Sequence, residues 1–139
     1  MVNEATLNAL KGMLGYTDAQ WETWKRNPRN LKVAENLGNF QSYKVVAQVT
    51  NSYGCAAGHK VGDRIVFGAD GTLLSKENPD KVCFGALSPL NPYLLLVFEK
   101  IAKGEDPTQI AFNKIHCVDV GVDNGGWGEV VLEVKVEKV

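Results

Sequence analysis

The chain has 139 residues, 45% of them hydrophobic and 22% charged, with a formal net charge of −1. That length suits one domain with room for an appendage, and the composition is that of an ordinary globular fold. The near-neutral balance argues against a nucleic-acid partner, which draws on a strongly basic surface, and the chain has no run of about 18 apolar residues to suggest a membrane partner.

The opening residues, MVNEATLNAL, lack the basic and long apolar regions of a signal peptide, so the expected location is the cytoplasm. Cysteine is present three times, as Cys55, Cys83 and Cys117. An odd number in a reducing compartment disfavours structural disulfides. Buried small hydrophobes, metal ligands and a reactive thiol remain as readings.

In chain order, residues 1–41 read as a helical appendage. Asn3 is placed to cap a first helix carrying Leu7, Leu10, Met13 and Leu14 at helical spacing, with Gly15 as its stop. Thr17 and Gln20 form a capping-box pattern for a second helix, in which Trp21 and Trp24 share a face. Asn27-Pro28 ends it, and Leu31, Val33, Ala34 and Leu37 suggest a short third helix.

From Tyr43 the pattern turns to strands. Val45, Ala47 and Val49 alternate with Lys44, Val46 and Gln48, and Asp63 to Phe67 gives a second strand closed by Asp70-Gly71. Asn91-Pro92 reads as a cap and first-turn proline for a helix over Tyr93 to Lys103. Its run Tyr93-Leu94-Leu95-Leu96-Val97-Phe98 is apolar nearly all round, which predicts burial between the sheet and other helices. Ile115 to Val120 and Glu129 to Val136 are the last strands, joined through Asn124-Gly125-Gly126. In the final strand Val130, Leu132, Val134 and Val136 share one face. The expected fold is α+β, an antiparallel, barrel-like sheet around one central helix over residues 42–139, preceded by the 1–41 helices.

Chemistry concentrates in Cys55-Ala56-Ala57-Gly58-His59-Lys60-Val61-Gly62-Asp63, where one cysteine and one of two histidines lie four positions apart. His59 and Lys60 are near enough in sequence to lower the Cys55 pKa, and Gly54 and Gly58 allow a tight turn. Cys83 precedes the central helix and Cys117 falls in a strand. If the sheet gathers them, Cys55, His59, Cys83 and Cys117 make a donor set suited to tetrahedral zinc and compatible with iron.

His116 should point away from whatever Cys117 serves, because adjacent strand residues face opposite sides. Asp63, at a strand start, suits bonding to turn amides better than acting as a base. Each cysteine has a plainer alternative as a packing residue. Lys60 is either a solvated charge or a ligand contact. Trp21, Trp24 and the basic residues Lys25, Arg26 and Arg29 either pack the appendage or form a docking surface. Trp127, set among glycines, either covers a pocket, meets a partner or plugs a hydrophobic gap.

Residues 44–139 resemble an uncharacterised family of short prokaryotic proteins with a C-x-x-G-H-K-x-G-D signature. The family has a second cysteine before a proline- and tyrosine-containing helix and a third late in the chain. Here those parts are Cys55 to Asp63, Cys83 upstream of Pro92-Tyr93, and Cys117. Where family members often continue the late cysteine with proline and aspartate, this chain has Val118-Asp119. The family has no established activity. The resemblance implies that the three cysteines and His59 act together, and it supplies no substrate.

The leading reading is a small cytoplasmic metal- or cluster-binding protein, an accessory or subunit of a larger metabolic enzyme or a homo-oligomer, with zinc or iron as its cofactor. One alternative is a thiol-dependent enzyme with Cys55 as nucleophile and His59 as base or ion-pair partner. Another is a non-catalytic binding module using the tryptophans, its cysteines structural.

Overall fold

A computed structural model describes residues 1–139. Helix α1 (Glu4–Leu14) starts where the Asn3 side chain accepts from the Thr6 amide at 2.8 Å, and it ends at Gly15. Helix α2 (Asp18–Lys25) carries the full capping box, with Thr17 and Gln20 each accepting from the other's amide. Helix α3 (Pro28–Glu35) begins earlier than its apolar spacing suggests. Asn27 and Pro28, which end α2, also cap and open α3. Together the three helices enclose a small core of Leu10, Trp21 and Ala34.

The rest of the chain builds a four-stranded antiparallel sheet from β1 (Tyr43–Tyr53), β2 (Arg64–Gly68), β3 (Lys114–His116) and β4 (Glu129–Lys138), in the order β2-β1-β4-β3. The period of two sorts the faces as expected. Val45, Ala47 and Val49 of β1 and Val130, Leu132, Val134 and Val136 of β4 all enter the main core. A register shift between Val49 and Asn51 bulges β1 just before the loop that carries Cys55.

The sheet is open and does not close into the expected barrel. Its two edges are separate strands, and β3 is only three residues long. The ladder continues one residue further, since the Cys117 amide donates to Val130 O at 2.9 Å. Val118 then turns its amide to Gly85 O, which ends the strand short of the expected Val120. At the other edge, the Asn78 side chain bonds both the amide and the carbonyl of Val66 at 2.9 Å, so the outer side of β2 is covered.

Helix α4 (Phe84–Leu87) and a 3-10 turn over Ser88–Leu90 lead into α5 (Asn91–Lys103). Asn91 already has helical angles, φ −53° and ψ −47°, so it is part of the helix and caps nothing. Helix α5 lays Val97 and Ile101 into the main core, while Leu95 and Leu96 remain 58% and 40% exposed. An open sheet meets the helix on one side only, which is why its all-round apolar run is not enclosed. The appendage joins this unit along α3 and α5, where Asn36 Nδ2 donates to Ala102 O at 3.0 Å. None of the helices is long and apolar enough to cross a membrane.

Candidate functional site

The β1–β2 loop is folded by the same residues that make up the signature. Gly58 donates to Cys55 O at 3.1 Å, closing one turn over Ala56 and Ala57. A second turn runs from Lys60 to Asp63, with Asp63 donating to Lys60 O at 3.0 Å. Gly62 sits at its third position with φ 94°, the conformation a type II turn demands there. Asp63 Oδ2 accepts from the Lys60 amide at 3.1 Å, as its place at a strand start suggests. The loop is tied back to β1 where Ser52 Oγ donates to His59 O at 2.6 Å.

His59 is buried, at 5% exposure, and one ring nitrogen is taken up by a hydrogen bond. Nε2 accepts from the Cys83 amide at 3.0 Å. The ring proton therefore sits on Nδ1, which faces Asp63 Oδ2 at 3.7 Å. His59 links the Cys55 loop to the Cys83 segment. It does not offer a free lone pair to an ion or a base to Cys55.

That link and the pairing of Cys117 with Val130 place the three cysteines around one cavity. A cavity of about 200 Å³ is lined by Cys55, His59, Cys83 and Cys117, with small neighbours that include Ala56, Ala57, Gly85 and Ala86. Cys83 stands at the start of α4 and its sulfur accepts from the Gly85 amide at 3.3 Å. The buried Cys117 sulfur accepts from the Val130 amide at 3.4 Å. Cys55 is half-buried, and its sulfur receives no hydrogen bond. In this conformation no three His, Cys, Asp or Glu side chains converge closely enough to hold a metal ion.

Asp119, to which the sequence alone assigns no role in the site, organises the far wall. Its Oδ1 accepts from the amides of Trp127 at 2.9 Å and Gly121 at 3.1 Å, and its Oδ2 from Gly128 at 3.1 Å. These amides, Trp127's first, hold its carboxyl below the usual carboxylate range. The signal was present as an aspartate ahead of Gly121, Gly125, Gly126 and Gly128, a chain able to wrap around one acceptor. Glu129 also lines the cavity.

The remaining expected contacts divide. Trp21 is buried and stacks on Trp24 with ring centroids 4.7 Å apart, so the pair holds the appendage together. Lys60 is exposed and outside the cavity lining. Trp127 is 76% exposed, beside the cavity-lining Gly128. His116 is exposed and Cys117 buried, as strand alternation requires.

Comparison of the chain with protein-family models, curated proteins and solved structures finds no match. The chemistry of the cavity itself therefore has to indicate its use.

Proposed function

We propose that this protein binds one thiophilic metal ion, zinc or iron, through the thiolates of Cys55, Cys83 and Cys117, and serves as an accessory protein or subunit of a larger metabolic enzyme. The observation that carries this reading is the presence of all three cysteines, from three separate segments, in the lining of one cavity. Thiolates select soft or borderline ions, and backbone N–H groups already orient two of the sulfurs. Resemblance to the C-x-x-G-H-K-x-G-D proteins supports the same cysteine set.

His59 is a positioning residue in this scheme, fixing Cys83 through its amide. Because the side chains do not converge closely enough here, an ion would require the three sulfurs to move inward. Cys55 has the freest path, since the turn residues Ala56 and Ala57 beside it are exposed and anchor nothing. A zinc or iron ion there would supply Lewis acidity. The accessory role rests on size and on surface. A cavity this small leaves little space for a large substrate, and Phe84, Val118 and Trp127 expose apolar side chains beside cavity-lining residues.

The test is elemental analysis of protein purified without oxygen, native and as Cys55→Ser. Near-stoichiometric zinc or iron in the native protein, lost in the variant, is the expected result. Absence of metal from both, or equal metal in both, overturns the reading.

A further inference from the structure

We propose that the groove between the appendage and the sheet unit is a second binding site, which takes a small organic cation with an aromatic body. It is separate from the cysteine cavity and shares no lining residue with it.

Three parts of the chain build the groove. The appendage supplies Val33, Leu37 and Phe40, α5 supplies Phe98 and Ala102, and the turn after β2 supplies Asp70. The space is about 420 Å³. Small-molecule sites occupy roughly 300–1,000 Å³ and favour junctions of this kind. Phe40 and Phe98 meet edge to face, with centroids 5.8 Å apart. Both are only half-buried, so a third ring can pack against them in the same geometry.

Charge selects among aromatic ligands. Asp70 and Glu99 are the only charged residues in the lining, with no lysine or arginine among them. Glu99 is paired with Lys103 at 3.0 Å, which leaves Asp70 as the carboxylate without a cation. Its Oδ1 accepts from the Thr72 amide at 3.0 Å and the Thr72 hydroxyl at 2.6 Å, while Oδ2 accepts from no group of the chain. The Thr72 hydroxyl, and then its amide, hold the Asp70 carboxyl below the usual range, so it is charged at neutral pH. The turn is also fixed beside the rings. Gly71 lays bare backbone against Phe98, where an added Cβ would lie 3.0 Å from Cζ. An ammonium group in the groove therefore gains from the carboxylate and from the aromatic rings, while its apolar body displaces water from the hydrophobic lining. An anion would be repelled.

The experiment titrates phenethylamine, an ammonium ion at neutral pH, into the full chain and follows the backbone amides by two-dimensional NMR. Phenethyl alcohol, its neutral isostere, is the control. The expected result is saturable shifts across residues 33–40, 70–72 and 98–102. Affinity for the amine should exceed that for the alcohol by at least about tenfold. Asp70→Asn, whose side-chain oxygen can keep the Thr72 bonds, should remove that preference. Ala102→Leu, which fills the groove, should remove binding of both. Absence of saturable shifts, shifts centred on the cysteine cavity, or unchanged binding in Ala102→Leu overturns the site. Equal affinity for the two ligands, or a preference that survives Asp70→Asn, overturns the selection by charge. Metal in the cysteine cavity bears on none of these outcomes, so the two readings stand or fall separately.

Discussion

Asp119 and His59 illustrate how single polar side chains shape this site by satisfying the backbone. Asp119 gathers three amides, and its carboxyl is held below the usual range by that gathering. A depressed folded-state pKa means that its stabilisation is fully present above the unfolded value of about 4 and is lost as pH falls through the lower folded value. Asp119→Asn removes the charge, so the variant should unfold at lower urea concentration than the native protein at pH near 7. The gap should narrow as the pH falls below about 4 and acid protonates Asp119. A gap independent of pH would show that the charge on Asp119 does not matter. His59→Ala leaves the part-buried Cys83 amide without its partner and opens a void where a buried ring stood, which should cost about 2–3 kcal/mol in urea unfolding. Cobalt(II), whose visible bands report coordination, should keep the native charge-transfer intensity at saturation in that variant while binding more weakly, as loss of a positioning residue requires. The Asp119 role had a local signal in the glycines that follow it, whereas the His59 role was not legible in the sequence. It depends on an amide from the separate Cys83 segment, and the Cys–His spacing suggested direct ligation where the histidine instead bonds to a backbone.

At the scale of elements, the ends of β1 and β4 meet over the cavity through bare backbone. A Cβ built on Gly128 would lie 2.2 Å from Tyr53 O and 2.5 Å from the Gly54 carbonyl carbon, and one built on Gly54 would lie 2.6 Å from Trp127 O. Backbone atoms on two paired strands cannot step aside like a flexible side chain. Gly128→Ala should therefore destabilise the fold by about 2–3 kcal/mol and lower cobalt affinity by displacing the 54–58 loop; calorimetry and cobalt titration on the same variant measure both. An unchanged melting temperature would show that the strands separate there at no cost. Local signals carried most of the elements. The capping box, the Asn27-Pro28 junction and the alternation along β4 are short-range patterns, and each appears where the sequence placed it. Closure of the sheet and the length of β3 are decided by long-range partners. Val118 leaves the ladder for Gly85 O, a competition that no local pattern records.

The whole molecule has two unequal cores. Fifteen buried residues form the main core under the sheet, and three form the core of the appendage. Burial of so few side chains gives α1 to α3 little stability of their own, and their attachment runs mainly through the α3–α5 contact and the Asn36–Ala102 bond. The appendage should therefore open before the sheet. Leu10 is one of its three buried residues, so Leu10→Ala removes a large share of what holds it, about 2–4 kcal/mol by the behaviour of other core truncations. Hydrogen exchange followed by mass spectrometry on the native and variant proteins should show faster exchange across residues 4–35 in the variant, with protection at Val45 to Val49 and Val130 to Val134 unchanged. The cysteine cavity draws its lining from the sheet unit alone. Cobalt affinity should then be the same in both proteins, even where the variant's appendage exchanges freely. Equal loss of protection in the sheet would instead mean that the three helices and the sheet unfold as one cooperative body, and metal binding would then weaken with the appendage.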